Sequence, residues 1–260
     1  MGTGNKIRKA INKFEPISLE QMDSVKLMRR TDTKYVFHTE QLPALLKKAV
    51  NNYFMVEIEN EREQIYKTTY YDTEDYQMYH LHHNGKLNRH KVRVRKYVYT
   101  NQKFLEVKRK NNRGETIKNR EEHNDKVHFL NAEDSNDFLQ KHIPFSPNKL
   151  IPKLDNKFIR LTLVNKDFTE RITLDYKLKF TDLKYKTKTK AKGVCICEIK
   201  KGRDNKNSPF INYLRDLRIH SQGFSKYCMG IALLNPDVKS NNFKRRIRAV
   251  TKSITNQLTT

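Results

Sequence analysis

Several stretches of the chain alternate ionic and apolar residues. Between Arg89 and Lys96, Arg89, Lys91, Arg93 and Arg95 take one parity while Val92, Val94 and Lys96 take the other. Successive side chains of a strand point to opposite faces, so period two predicts a strand with one cationic and one apolar face. After a turn at Thr100–Gln102 the device repeats. Phe104, Glu106, Lys108 and Lys110 oppose Leu105 and Val107, and the two runs predict a hairpin. A third strand, past the turn at Asn112–Gly114, sets Lys118, Arg120 and Glu122 together. The alternation returns in residues 156–163, 170–176 and 193–201. There Phe158, Arg160 and Thr162 oppose Ile159 and Leu161, and Arg171, Thr173 and Asp175 oppose Ile172 and Leu174; Ile196, Glu198 and Lys200 oppose Cys195, Cys197 and Ile199. Residues 33–39 and 64–73, rich in Tyr and Thr, predict two more strands.

Helical signals cover residues 18–30, 39–53, 74–85, 132–142 and 208–220, with Ser18, Thr39 and Ser208 as N-caps and Pro209 in a first turn. Residues 223–234 read as a further helix. For a single strand, alternation with Lys and Arg fits a solvated sheet face. Six strands with the same habit favour another arrangement, because about eight strands are enough to close a barrel. The predicted fold class is α+β: an antiparallel β-barrel tunnel, with apolar faces outward under covering helices and ionic faces inward. Residues 1–240 are expected to form this one domain and residues 241–260 a basic tail.

Composition sharpens that picture. Against 29 Asp and Glu stand 53 Lys and Arg, a net charge of +24, yet 36% hydrophobic and 10% aromatic content exclude a disordered basic chain. The surplus is concentrated: residues 86–120 hold 13 basic and 2 acidic side chains, residues 177–192 hold 7 and 1, and residues 241–260 hold 5 and 0. Three cysteines make no disulfide framework. No stretch nears the roughly 18 to 20 apolar residues of a membrane span, and the expected location is the cytoplasm. The run KRRIRAV at 244–250 reads as a solvated segment, so that deleting residues 241–260 spares catalysis; the alternative is a basic helix on acidic lipid or a membrane-protein partner, which would put the protein at the membrane periphery.

A tunnel lined with guanidinium and ammonium groups calls for a strongly acidic ligand, and phosphate chains fit best, since Arg binds phosphate oxygens bidentately and Lys acts as a point charge. The chain has neither G-x-x-x-x-G-K-[ST] nor G-x-G-x-x-G, so phosphate contacts must come from side chains. Glu106, Glu122 and Glu198 share the cationic faces, where they serve either as ion-pair partners or as ligands to a hard metal. Glu198, beside Lys200, is the best metal candidate, because Mg²⁺ or Mn²⁺ binds through one or two carboxylates plus substrate phosphates. Cys195 and Cys197 read as core, and His80 and His83 as packing residues.

Seven segments then match a known pattern in order: RRTDTKY (29–35), TTYYDT (68–73), KVRVRKY (91–97), LEVKRK (105–110), RITLD (171–175), CEIK (197–200) and SKY (225–227). Together they resemble the VTC domain, the polyphosphate polymerase branch of the triphosphate tunnel metalloenzymes, over about residues 27–234. The resemblance implies an antiparallel β-barrel tunnel that holds ATP and a growing polyphosphate chain, with a divalent metal, Mn²⁺ or Mg²⁺. It also implies phosphate contacts from Lys34, Arg93, Arg95, Lys108, Arg120, Arg160, Lys200 and Lys226, assistance from Ser225, and metal binding by Glu198. Lys91 and Arg171 are further candidates, and Lys34, Arg93, Arg95, Lys108 and Lys226 make the catalytic set. Two positions depart from the family pattern. Phe158 stands where a tyrosine is common, which removes a hydroxyl contact, and His80, His82 and His83 occupy a helix that often supplies an arginine.

The resulting expectation is γ-phosphoryl transfer from ATP to inorganic polyphosphate or pyrophosphate, with no specific nucleic acid as partner. The same tunnel with water as acceptor would be a tripolyphosphatase or nucleoside triphosphatase. A basic nucleic-acid-binding module is the alternative from another class, given a pI near 9.9 with 13 Tyr and 13 Phe.

Overall fold

The structure, a computed structural model, describes residues 2–23, 30–130, 133–202 and 207–248. Its strands are β1 (Pro16–Ile17), β2 (Arg30–His38), β3 (Tyr53–Val56), β4 (Gln64–Asp72), β5 (Arg89–Tyr97), β6 (Lys103–Lys110), β7 (Thr116–Glu122), β8 (Ile151–Asn165), β9 (Glu170–Asp182), β10 (Lys188–Ala191) and β11 (Val194–Gly202). The helices are α1 (Thr3–Ile11), α2 (Leu19–Asp23), α3 (Leu42–Ala49), α4 (Gln77–His83), α5 (Glu133–His142), α6 (Pro209–Asp216) and α7 (Lys226–Leu234). One sheet runs in the order β2-β11-β9-β8-β4-β5-β6-β7, antiparallel at every step of that path. β2 and β7 end the path and do not pair with each other among the described residues, so the tunnel wall is a curled half-barrel. Register shifts at Tyr70/Tyr71 and Lys157/Ile159 mark bulges, which bend strands and raise their twist.

The predicted parity decides what each face meets. On the convex side, Tyr35, Phe37, Leu161, Leu163, Ile172, Leu174, Cys195, Cys197 and Ile199 are buried in one core with residues of α1, α3 and α6. Val92, Val94, Leu105 and Val107 are buried with Leu139 and Ile143, at the α5 end of the sheet. Both cysteines are therefore core residues, as expected. The concave face keeps its ionic residues and is closed at one end by α7, where Tyr227, Met229 and Ile231 pack with Leu154, Phe158 and Phe180. Asp72, fully buried at the end of β4, ties this end together. It accepts from the backbone N–H groups of Met78 and Tyr79 at 2.9 Å each and from the Tyr227 hydroxyl at 2.5 Å, so one carboxylate caps α4 and anchors α7.

Some expectations shift. The helix expected over 18–30 is α2 alone, with Arg30 already in β2; residues 24–29 lie outside the described residues. The helix expected over 39–53 ends at Ala49, because Tyr53 pairs with Asn165 and opens β3. α1 was not signalled by a cap, although Ile7 and Ile11 fall one turn apart and are buried. The basic stretch 177–192 does not line the concave face. Lys177 sits at φ 53° beside the β8–β9 bulge, which reverses parity: Leu178 and Phe180 join the α7 core, while Lys177 and Lys179 are exposed. Beyond residue 240, Phe243 is buried against α4, and residues 249–260 lie outside the described residues. Among the described residues no helix is long and apolar enough to cross a membrane.

Candidate functional site

Strand register sets the ionic residues of the concave face side by side. Arg93 lies opposite Glu106, which lies opposite Arg120; one step along, Lys91, Lys108 and Lys118 line up. On the other side of the sheet Arg160 faces Asp175, Glu198 faces Thr173 and Lys34, and Lys200 faces Arg171 and Asp32. Curling then turns β6 towards β11, so that the Lys108 ammonium feels both the Glu198 carboxylate and Lys200.

Three carboxylates each hold two cations. Glu106, fully buried, accepts from Arg93 Nε at 2.6 Å and pairs with Lys118. Asp175 takes a fork from Arg160, Nε to Oδ1 at 2.6 Å and Nη2 to Oδ2 at 2.8 Å, and pairs also with Lys226. Glu198 sits between Lys34 at 2.7 Å and Lys200 at 2.8 Å. Lys200 reaches on to Asp32 at 3.0 Å, and Asp32 in turn pairs with Arg30 at 3.0 Å.

Burial is the largest influence on most of these groups and disfavours charge, so their partners decide the outcome. It works against ionised Glu106, Asp175 and Glu198, but the adjacent cations win. Asp175 is held at about 2, and Glu106 and Glu198 fall well below the usual carboxylate range. The guanidinium groups of Arg93 and Arg160, buried yet paired to Glu106 and Asp175, are pushed above their usual value. For the lysines burial prevails: Lys91, Lys118 and Lys226 are each lowered to about 8, and Lys108 well below its usual value.

Aromatic rings seat several of the cations. Arg160 and Arg95 lie 5.0 and 5.5 Å from the Tyr66 ring centroid, Lys226 Nζ lies 4.4 Å from that of Phe158, and Arg120 covers Phe104 at 4.9 Å. Phe158, stacked on Tyr66 at 5.3 Å, is thus a cation seat in place of a hydroxyl donor. At the N-terminus of α7, Ser225 Oγ accepts from the Cys228 N–H at 3.3 Å and from Lys91 Nζ at 3.1 Å. The helix starts with Ser225 and Lys226 because the hydroxyl satisfies an end N–H group.

Of the residues singled out in the sequence, Lys34, Lys91, Arg93, Arg95, Lys108, Arg160, Lys200, Ser225, Lys226 and Glu198 gather on this face. Arg171 lies one row further along, beside Lys200, and Arg120 is on the edge strand β7, exposed. Sequence reasoning passed over Asp175, Asp32 and Lys118 as site residues; their signal was the shared strand parity. Glu198 and Asp32, two carboxylates that already share one ammonium, are the acidic oxygens on this face that would hold a divalent cation, with phosphate oxygens supplying most of its ligands. The described residues contain no cluster of three metal-ligating side chains, so this would be a cation held jointly with substrate.

No curated protein matches the chain. Among solved structures it is similar to a candidate adenylyl cyclase from Hippeastrum, described as having a dominant triphosphatase activity (TM-score 0.48, 10% identity, 76% of this chain and 93% of that one). It is also similar to a candidate adenylate cyclase from Vibrio parahaemolyticus (0.46, 11%, 76% and 95%) and to the PH1819 protein of Pyrococcus horikoshii (0.43, 13%, 78% and 98%). The VTC domain profile matches residues 29–235, which include β2 with Lys34, the whole cation-lined sheet and α7, and the chain belongs to the VTC domain family.

Proposed function

We propose that this phosphate-handling, tunnel-fold protein is an ATP-dependent polyphosphate polymerase, transferring the γ-phosphoryl group of ATP to the end of an inorganic polyphosphate chain. The observation that carries the reading is the convergence of Lys34, Lys91, Arg93, Arg95, Lys108, Arg160, Lys200 and Lys226 on one concave face, oriented by Glu106, Asp175 and Glu198. Phosphoryl transfer asks for in-line positioning and neutralised charge more than for covalent help from protein. Arg93, Arg95 and Lys34 would grip the triphosphate. Arg160, Lys226 and Ser225 would hold the acceptor chain in line with it. A terminal oxyanion of the chain attacks the γ-phosphorus, the bond from that phosphorus to the β–γ bridging oxygen breaks, and ADP leaves with the electron pair. Lys108 and Lys200 neutralise the charge spread over the transferring group. Glu198 and Asp32 would hold a Mn²⁺ or Mg²⁺ ion, which would supply neutralisation of phosphate charge.

The test is to incubate the protein with ATP and Mn²⁺ and analyse the products. Polymer together with ADP is expected, and neither should form with Glu198→Ala. Inorganic phosphate without polymer would make the protein a hydrolase, and an absence of turnover would remove the enzymatic reading.

A further inference from the structure

Where α4 and α7 close the concave face, four cations from three separated parts of the chain converge. Arg89 and Lys110 face each other across the β5–β6 ladder, and Lys91, the next residue on that face, donates to Ser225. The fourth, Arg246, arrives from beyond residue 240. Its segment is anchored. Phe243 is 4% exposed, with its ring 6.1, 6.2 and 5.3 Å from those of Tyr79, His82 and His83. The Asn242 N–H donates to His83 Nε2 at 3.3 Å, and its side-chain amide donates to the His83 carbonyl at 2.9 Å. Phe243 supports the Arg246 guanidinium at 5.8 Å, and Arg246 Nη2 comes within 3.8 Å of where a Cβ on Gly223 would stand, two residues before Ser225.

All four cations act on one group, the His82 side chain. Burial first, then Lys91, Arg89, Arg246 and Lys110, pull its pKa down to about 2, so the ring stays neutral and adds no charge of its own. Its Nδ1 is buried without a hydrogen-bond partner. None of the four cations is paired with a carboxylate among the described residues. Arg89 donates to the Lys86 carbonyl, Lys91 to a hydroxyl, and Arg246 rests on a ring. Like charges gathered without a counter-ion repel one another, and an extended polyanion relieves that repulsion.

We propose that Arg89, Lys91, Lys110 and Arg246 form a second phosphate subsite, continuous with Ser225 and Lys226, over which a phosphate chain runs past the active face. Residues 241–248 then belong to the polyanion-binding surface and are not an idle tail. The inference rests on the polyphosphate reading above and assigns it a chain-length preference, because only a long polymer spans both subsites.

Binding to the full chain should be measured with two probes, tripolyphosphate and long inorganic polyphosphate, for the wild type, Arg246→Ala and Arg246→Lys. In Arg246→Ala the preference for the long chain over tripolyphosphate should fall about tenfold, the size of one charge-assisted contact. Arg246→Lys should recover part of it, and the salt slope for the long chain should drop by about one in Arg246→Ala. A preference identical in Arg246→Ala and wild type overturns the subsite while leaving the polymerase reading in place. A wild-type protein that turns over ATP but binds both probes equally well also overturns it. Failure of the wild type to bind either probe would overturn the polyphosphate reading and the subsite together.

Discussion

Along the middle of the concave face three carboxylates are each shared by two cations: Glu106 by Arg93 and Lys118, Asp175 by Arg160 and Lys226, and Glu198 by Lys34 and Lys200. At the α4–α7 end, Arg89, Lys91, Lys110 and Arg246 have, among the described residues, carbonyl, hydroxyl and ring partners and no carboxylate. The middle is oriented before any ligand arrives, since its hydrogen-bonded pairs hold each side chain in place. The end is not, and its repulsion is relieved only by what binds there. On the proposed reading, one region positions phosphates for chemistry and the other collects negative charge.

The hardest blow to the compensated region is Asp175→Ala. It would strand Arg160 and Lys226 in a buried place without a counter-charge, and loss of one partner of a buried pair costs about 3–5 kcal/mol. Urea unfolding should report that loss, and a change below about 1 kcal/mol would mean that the carboxylate does not organise the face. Next in size is Arg93→Ala, which should slow ATP-dependent polymer synthesis by about 10²–10³, the effect of removing one preorganised donor. A comparable loss in rate at saturating substrate for Arg89→Ala would erase the distinction between positioning and collecting.

The pH dependence of binding comes third. Burial, the main cause, lowers Lys91, Lys118 and Lys226 to about 8 in the free protein, and a bound phosphate favours the ammonium form, so each pKa lies higher in the complex. The complex therefore carries more protons than the free protein above about pH 8. Affinity should be full below that value and fall as pH rises through it, by at most about tenfold per unit for each lysine that contributes. Titrating the binding of long inorganic polyphosphate from about pH 7 to about pH 10 checks this, and a flat profile would show that these lysines do not meet phosphate. Lys91→Arg should flatten part of the slope, because a guanidinium stays charged throughout. The smallest effect belongs to the convex surface. Lys48 and Asp216 pair at 2.9 Å with side chains 43% and 55% exposed, and Asp216→Ala should change stability by about 0–1 kcal/mol in the same unfolding assay. A larger value would remove the contrast between solvated and buried pairs.

Much of this was legible in the sequence because strand parity is local. Arg93 beside Val94, and Glu198 beside Cys197, announce their faces whatever the sheet does later, and both ended where the alternation put them. The serine ahead of α6 was readable for the same reason, since an N-cap bonds within its own turn, whereas Ser225 ahead of α7 was not picked out as a cap. Legibility stopped where parity is reset from outside. Lys177 and Lys179 continue the chain past Asp175 at the parity-breaking bulge against β8, which turned them to solvent. β10, KTKA, buries only Ala191 and so carried no hydrophobic signal. Asp72 looked like one polar residue in a tyrosine-rich strand, because three of its bonded partners, Met78, Tyr79 and Tyr227, lie on two helices.

The sequence by itself determined which residues share a face, that the faces are cationic and apolar, and through its ordered motifs that the chain is a VTC domain, since alternation, caps and motifs are set within a few residues of one another. Only the tertiary structure decided which carboxylate compensates which cations, that Lys108 feels the Glu198 carboxylate, and that Arg246 comes beside Gly223 from outside the matched domain. Those outcomes depend on register, bulges and the docking of α4 and α7, which bring together residues from different elements, as far apart as Lys91 and Ser225 or Asp72 and Tyr227, and leave no trace in local spacing.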